Sequence, residues 1–524
     1  MAYEKAQESG LNRNVRPIEK PYLEGLDTLD ILNQVQGNIF ESHKREFVIC
    51  LFFHFGDNLS KDEKSNIQNT ISEFSQKITS AKQILSERLD YGKERKKKVF
   101  DLEHIDKFLK SKPNVYFLYL SGLGFKKTKN NRLIDKFPDD KTFLKGMSSS
   151  GNKTAVNDHI PGSKSKNPWL KYAWRREKKV DMLIQLAGDD SSKLEEEAMK
   201  ITNYWGRKCS VKFLFAERGR MIYHNGNRRD AREPFGFRDG LSKIPFWEKN
   251  GKELLEKSRE IVLDDHLGSY MVFRKLEQDV ARFEWMVEDL TYKIFGLKKY
   301  QKGFEEKKAF VEAQIFGRFR DGTPLELYDH PIMDHQNQHI ESILKIKNFN
   351  KYKPVEDRDG FDGDSRCPYF SHIRKTNPRS KAQITQNGTE YKEGKKFNMR
   401  IARRGIPYKE INHKGEEKVG LLFMGYQANV STQFKEMKIK WSNDPDFEQE
   451  KTGYDPIIGR PFEEGELYPY KWILDWNTKE VKEVPYSFEG IIKLKGGEYF
   501  YAPSIPFLEG LGMRQNEVEE GRLS

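Results

Sequence analysis

An α+β fold made of two ferredoxin-like halves is predicted for this chain, because a strand–helix–strand order occurs in it twice. Short runs that are apolar throughout, as buried strands are, alternate with stretches whose apolar residues recur at the 3.6-residue period of a helix. The hydrophobic fraction, 36%, is low and the charged fraction, 33%, is high, so large solvated segments are expected around an ordinary core. A length of 524 residues allows about two to four domains, or one two-lobed globule.

Taken in order, residues 47–55 (FVICLFFHF) read as the first strand. Ile67, Ile71, Phe74, Ile78, Ala81 and Leu85 then share one helical face. Strands are predicted at 115–120 and 180–186, followed by a Ser-capped helix with Leu194, Ala198 and Ile201 on one side, and by a fourth strand at 211–215. The second half repeats the order with a strand at 269–273 and a helix carrying Leu276, Val280, Phe283, Val287 and Leu290. Strands at 399–403 and 421–430 follow, and Ser431 or Thr432 caps a helix bearing Phe434, Met437 and Trp441. Two such antiparallel sheets facing each other, with peripheral helices outside, make a sandwich or a barrel. The first half is placed at residues 1–230 and the second, with the functional site, at 231–524. The stretches around 126–176, 295–365 and 443–490 fit neither half and are expected to be insertions or long loops.

The net charge of +12 raises a nucleic-acid reading, but 80 acidic residues are interspersed among 92 basic ones. The basic runs at 93–98, 126–129 and 174–179 fall on no groove-reading or stacking motif, so a solvated face is the better account and no nucleic-acid partner is expected. The excess charge would suit attraction of anionic aromatic substrates. Three cysteines make no disulfide framework, and their apolar surroundings suit reduced thiols. No signal peptide and no apolar run of membrane-spanning length is recognised, so a cytoplasmic location without a membrane partner is expected. Aromatic residues are 13% of the chain; most must be packing, although an exposed Tyr or Trp would be a convenient electron relay.

Three segments carry chemistry. In 366–379 (RCPYFSHIRKTNPR), His372 stands among apolar and cationic residues, as an axial haem ligand requires. The iron takes a neutral imidazole nitrogen, Phe, Tyr and Ile suit the porphyrin faces, and Arg374 or Arg379 would pair with propionates. By itself this is equally a histidine buried in a Pro-bounded loop, and Cys367 offers a thiolate as a rival ligand. In 233–242 (EPFGFRDGLS), Gly236 and Gly240 allow a tight turn that brings the Asp239 carboxylate close to a flat ligand. In 400–408 (RIARRGIPY), Arg400, Arg403 and Arg404 cluster in a strand-like run, which suggests an anion or a developing negative charge to meet. Competing motifs fail. The loop at 146–154 has Asn152 where a phosphate-binding lysine belongs, His335 and His339 lack the glutamate of a zinc protease, and 357–364 lacks the spacing of a calcium loop.

Together and in this order, the three segments resemble the dye-decolorising (DyP-type) haem peroxidases. Shorter stretches extend the resemblance over almost the whole chain: 36–39 (QGNI), 317–325 (GRFRDGTPL), 420–427 (GLLFMGYQ) and 497–504 (GEYFYAPS). The resemblance implies a dimeric α+β barrel-like fold and one haem b per chain, with His372 as the metal ligand and Arg374 and Arg379 binding the cofactor. Asp239 becomes the distal acid and Arg403 the distal arginine, in preference to Arg400 and Arg404. Hydrogen peroxide and an organic, dye-like or phenolic electron donor are the implied partners, and an oligomer is compatible with them. The alternative reading is a protein that only carries or remodels porphyrin. His372 should also donate through its second ring nitrogen to a carboxylate, which no motif locates.

Overall fold

Local signals account for most of the elements, and tertiary hydrogen bonds account for the departures. The computed structural model describes residues 27–94, 111–128, 139–149, 179–209, 211–228, 230–238, 246, 259–260, 262–332, 366–378, 399–412, 414–447, 449–461, 465–475, 478 and 480–512. Asp239, Arg379, His335, His339, the 357–364 stretch and most of the segment 126–176 therefore lie outside the described residues.

Helix α1 (Thr28–Gln34) begins where Asp27 accepts from the Asp30 N–H at 2.8 Å. Strand β1 (Phe47–His54) is buried over all but its end residues. The helical period after it runs through two helices instead of one. α2 (Lys61–Ser75) opens on a capping box between Ser60 and Glu63, and α3 (Ala81–Glu94) follows a break. The break arises because the backbone at Thr79 bonds to other segments, its N–H to Tyr116 at 3.0 Å and its carbonyl to Gly37 at 2.9 Å. β2 (Val115–Ser121), α4 (Gly122–Thr128), α5 (Lys141–Lys145) and β3 (Met182–Gly188) come next. α6 (Ser191–Cys209) is capped by Asp190 and not by serine, since the carboxylate accepts from both Ser192 and Lys193 N–H groups at 3.1 Å. β4 (Lys212–Arg220) closes the first set, and β5 (Ile222–Tyr223) pairs with β6 (Ala231–Arg232).

β7 (Ser269–Gln278) contains Leu276, which the period assigns to the next helix; α7 (Val280–Phe295) starts only after its cap, Asp279. α8 (Phe304–Phe316) and α9 (His372–Thr376) precede β8 (Ala402–Arg403), which is shorter than predicted, and β9 (Ile406–Ile411), which is not predicted at all. β10 (Glu417–Gln427) leads into π-helical stretches at Ser431–Lys435 and Met437–Ser442. Neither Ser431 nor Thr432 caps them through its own side chain: Asn429 accepts from the Thr432 N–H and Asp140 from the Ser431 N–H, both at 2.9 Å. β11 (Tyr468–Asp475), β12 (Glu480–Tyr486), β13 (Ile492–Ala502) and α10 (Ile505–Gly510) complete the order. Among the described residues, no helix is long and apolar enough to cross a membrane.

One nine-stranded sheet runs β4-β1-β3-β2-β13-β7-β10-β8, with β9 also on β10. Its two parts read alike. β4-β1-β3-β2 and β13-β7-β10-β8/β9 both place the fourth strand of a half beside its first, then the third, then the second, which is the ferredoxin-like order. The halves join where β2 meets β13, through Leu120↔Tyr501 and Ser121↔Phe500. They meet again at the other edges. Gly219 of β4 lies so close to β9 that a Cβ there would overlap Ile406. Lys275 of β7 spans that seam, its Nζ 2.7 Å from Glu217 of β4 and 2.6 Å from Glu410 of β9. The sheet is therefore rolled into a barrel, with the two halves facing each other across rings such as Phe52 and Phe273, 5.3 Å apart.

The expected loops at 295–365 and 443–490 are, in their described parts, a second core. α7, α8 and the β11–β12 hairpin bury Phe283, Met286, Leu290, Ile315, Tyr470 and Trp472 together, with Phe235, Phe237 and Phe370 from the chemically marked segments. The sequence reading found α7 by its period but missed the lobe, because the other apolar residues that complete it are drawn from distant segments.

Candidate functional site

His372 is the first residue of α9, a short helix that packs against both α8 and the π-helical stretch at 437–442. Its ring lies edge-on to Phe316 with centroids 6.1 Å apart. Its Nδ1 is 2.9 Å from Oδ2 and 3.1 Å from Oδ1 of Asp455, whose side chain is fully buried. Asp455 Oδ1 also accepts from the N–H groups of Ile457 at 2.8 Å and Ile458 at 3.1 Å. Burial alone would push this carboxyl up, but the His372 charge, its hydrogen bond and the two N–H donors outweigh burial and hold Asp455 below the usual carboxylate range. An ionised carboxylate only accepts, so Nδ1 carries the proton that faces Asp455, and Nε2 is the ring nitrogen left to meet an iron. This donor set fits an axial haem ligand, and Asp455 is the carboxylate that the motifs did not locate. Its sequence signal is weak: a lone acid before a proline, 83 residues from its partner.

The loop before α9 is built for packing. Cys367 is 2% exposed, and burial pushes its thiol up to about 12. A group protonated at neutral pH makes no thiolate ligand. Cys367→Ser should accordingly leave the visible spectrum of the haem-loaded protein unchanged, whereas loss of the Soret band would transfer the ligand role to the sulfur. Arg374 belongs to the same loop. It is 1% exposed, donates to the Cys367 carbonyl at 2.6 Å and lies 3.7 Å over the Tyr369 ring. These contacts order the loop from within. The second expected partner, Arg379, falls outside the described residues.

The segment that leads to Asp239 is held rigidly. Asp230 binds Arg232 through both oxygens at 2.8 and 2.7 Å, and Arg232 donates onward to the carbonyls of Gly236 at 2.9 Å and Arg320 at 2.8 Å. Glu233 accepts from the N–H groups of Phe235 and Phe237 and from Gln278 Nε2. Phe237 then stacks on Phe316 at 3.7 Å. The segment that leads to position 239 and the helix that carries His372 thus both contact the Phe316 ring. The Asp239 side chain itself is beyond the described residues.

Arg403 is exposed on β8, opposite Gly425 of β10. Gly425 pairs with Val272, and Val272 with Tyr499, so the four positions share one face of the sheet. That face is covered by the π-helical segment, whose Phe434 meets Tyr499 at 6.3 Å and on whose second stretch α9 rests. Arg403 and His372 consequently belong to the same side of the second half. Arg404 does not compete for the role. It donates to the carbonyls of Asn38, Ile39 and Phe40, each at 2.8 Å, and pins the 36–39 motif to the strand. Gln36 in that motif bonds both Leu118 and Pro503, across the joint between the halves.

A family model described as Dyp-type peroxidase, C-terminal, matches residues 230–452. Among curated proteins, the chain is 33% identical over 263 residues to the multifunctional dye peroxidase DyP2 of Amycolatopsis sp., a match covering 47% of this chain and 49% of that protein. It is 25% identical over 359 residues to the dye-decolorizing peroxidase AauDyP1 of Auricularia auricula-judae, covering 63% of this chain and 64% of that protein. The matched stretches therefore span about half to two thirds of these relatives. Among solved structures, the DyP-type peroxidase AnaPX of Anabaena sp. superposes with a TM-score of 0.69 at 26% identity, over 96% of this chain and all of that one. The matched residues 230–452 include Phe237, His372 and Arg403, so the likeness to DyP-type peroxidases and the assembled geometry fall on the same part of the molecule.

Proposed function

We propose that this protein is a haem-dependent peroxidase that reduces hydrogen peroxide while oxidising an organic donor of dye or phenol type, with one haem b per chain. The observation that carries the reading is the His372–Asp455 pair, an imidazole whose Nδ1 faces a buried, ionised carboxylate at 2.9 Å. Bound haem would supply the iron centre at which peroxide is reduced and from which the donor is oxidised. The residues do the rest. Asp455 fixes the tautomer and ring orientation of His372 and makes Nε2 a stronger donor. Asp239 would move a proton from the inner peroxide oxygen to the outer one, a role that requires it to be ionised when peroxide arrives. Arg403 offers a positive charge to the oxygen that departs. The names of the relatives, all peroxidases, favour this over the carrier reading. A cytoplasmic location is proposed on three free and buried thiols.

The test is spectroscopic and kinetic. Purified protein reconstituted with haem should show a Soret band with one haem per chain, bleach or shift it within milliseconds to seconds of mixing with peroxide, and oxidise an anthraquinone dye in steady state. Absence of a Soret band would overturn the reading, and a Soret band indifferent to peroxide would establish the carrier instead.

A further inference from the structure

The carboxylate behind His372 is itself held in place by a lysine. Lys438, on the second π-helical stretch, is 3% exposed, and its ammonium donates to the Ile458 carbonyl and, at 3.1 Å, to Asn443 Oδ1. The N–H of the same Ile458 donates to Asp455 Oδ1 at 3.1 Å. Asn443 Oδ1 also receives the Arg460 N–H at 2.9 Å, and the Asp455 N–H bonds the Ser442 carbonyl at 3.0 Å. The turn 455–460 is thus tied to the end of the π-helix at three points. Gly459 fits between them, since a Cβ there would come within 2.7 Å of the Ser442 carbonyl.

The π register explains why Lys438 and Asn443 can act together. In an α-helix, residues five apart lie about 140° apart around the axis. Here the Asn443 N–H bonds the Lys438 carbonyl, five residues back, at 3.1 Å, which brings the two side chains to one face. A buried ammonium is costly to desolvate, and its bonds to a backbone carbonyl and an amide oxygen fix the groups that accept them. What they position is the peptide that donates to Asp455.

We propose that Lys438 is a positioning residue for the proximal pair: by holding the Ile458 peptide, it sets the orientation of the Asp455 carboxylate toward His372 Nδ1 and so the donor strength of His372. The proposal rests on the haem reading and adds a residue to it. In Lys438→Met the stem volume remains and the ammonium is lost. The ferrous, haem-loaded variant should show its iron–histidine stretching band at lower frequency than the wild type, and a higher reduction potential. Haem should transfer to an apoprotein scavenger about 10-fold faster, the lower end of what losing a hydrogen-bond partner behind a metal-binding histidine produces. Asn443→Ala, which removes the shared acceptor but leaves the lysine, should move the band in the same direction, and it decides the matter if Lys438→Met does not fold. A purely architectural role would lower the melting temperature and leave band and potential where they are. That result in the folded variant overturns the proposal, while a wild type lacking the Soret and iron–histidine bands would overturn the haem reading instead.

Discussion

His372→Ala is expected to abolish stoichiometric haem binding while the chain remains folded. In the proposed function the imidazole supplies the axial bond, and apolar contact with the porphyrin alone should not hold the cofactor against dilution. Folding should survive because the side chain is 18% exposed and the two large apolar cores lie elsewhere. Removing the ring does leave Asp455 buried without its His372 bond, at a cost of about 1–3 kcal/mol, although the N–H groups of Ile457 and Ile458 continue to serve it. Haem content by pyridine haemochrome, read beside far-ultraviolet circular dichroism, checks both halves of the expectation. Full occupancy with an unchanged high-spin spectrum would remove His372 from the iron.

The second large effect is expected above the haem plane. Arg403→Leu keeps bulk and removes charge, and Asp239→Asn keeps shape but cannot take up a proton. Neither touches the iron ligand, so both variants should bind haem with wild-type stoichiometry. Displaced acid–base groups cost about 10²- to 10⁴-fold in rate, and loss of one preorganised charge donor about 10²- to 10³-fold. Stopped-flow mixing with peroxide, followed at the Soret band, should therefore show slowing of that order in each. Arg404→Leu serves as the contrast. Three carbonyls of the 38–40 segment lose their shared donor, so its melting temperature should fall while the peroxide reaction keeps its rate. Wild-type rates in Arg403→Leu would move the role to Arg400.

What the sequence by itself determined about this protein was local or modular. The run at β1 announces a strand buried on both faces, the Ser60–Glu63 pair announces the start of α2, and the twofold strand–helix–strand order announces the two halves. Family-ordered segments singled out His372 and Arg403 as candidates, because a residue at a fixed place in a short motif is written in consecutive residues. Only the tertiary structure decided the rest. The choice of a barrel over a sandwich depended on β2 meeting β13 and β4 approaching β9, contacts between edges that no period encodes. The contact of Arg374 with the Tyr369 ring exists only once the loop has folded. Asp455 and Lys438 stood in a region with no chemical signature, and they acquired their roles from neighbours 83 and 20 residues away. The physical reason is one of range: helical period, caps and turns act over a few residues and leave a trace in composition. A buried carboxylate or ammonium is defined by the groups that replace its water, and those are supplied by distant segments only when the chain has folded.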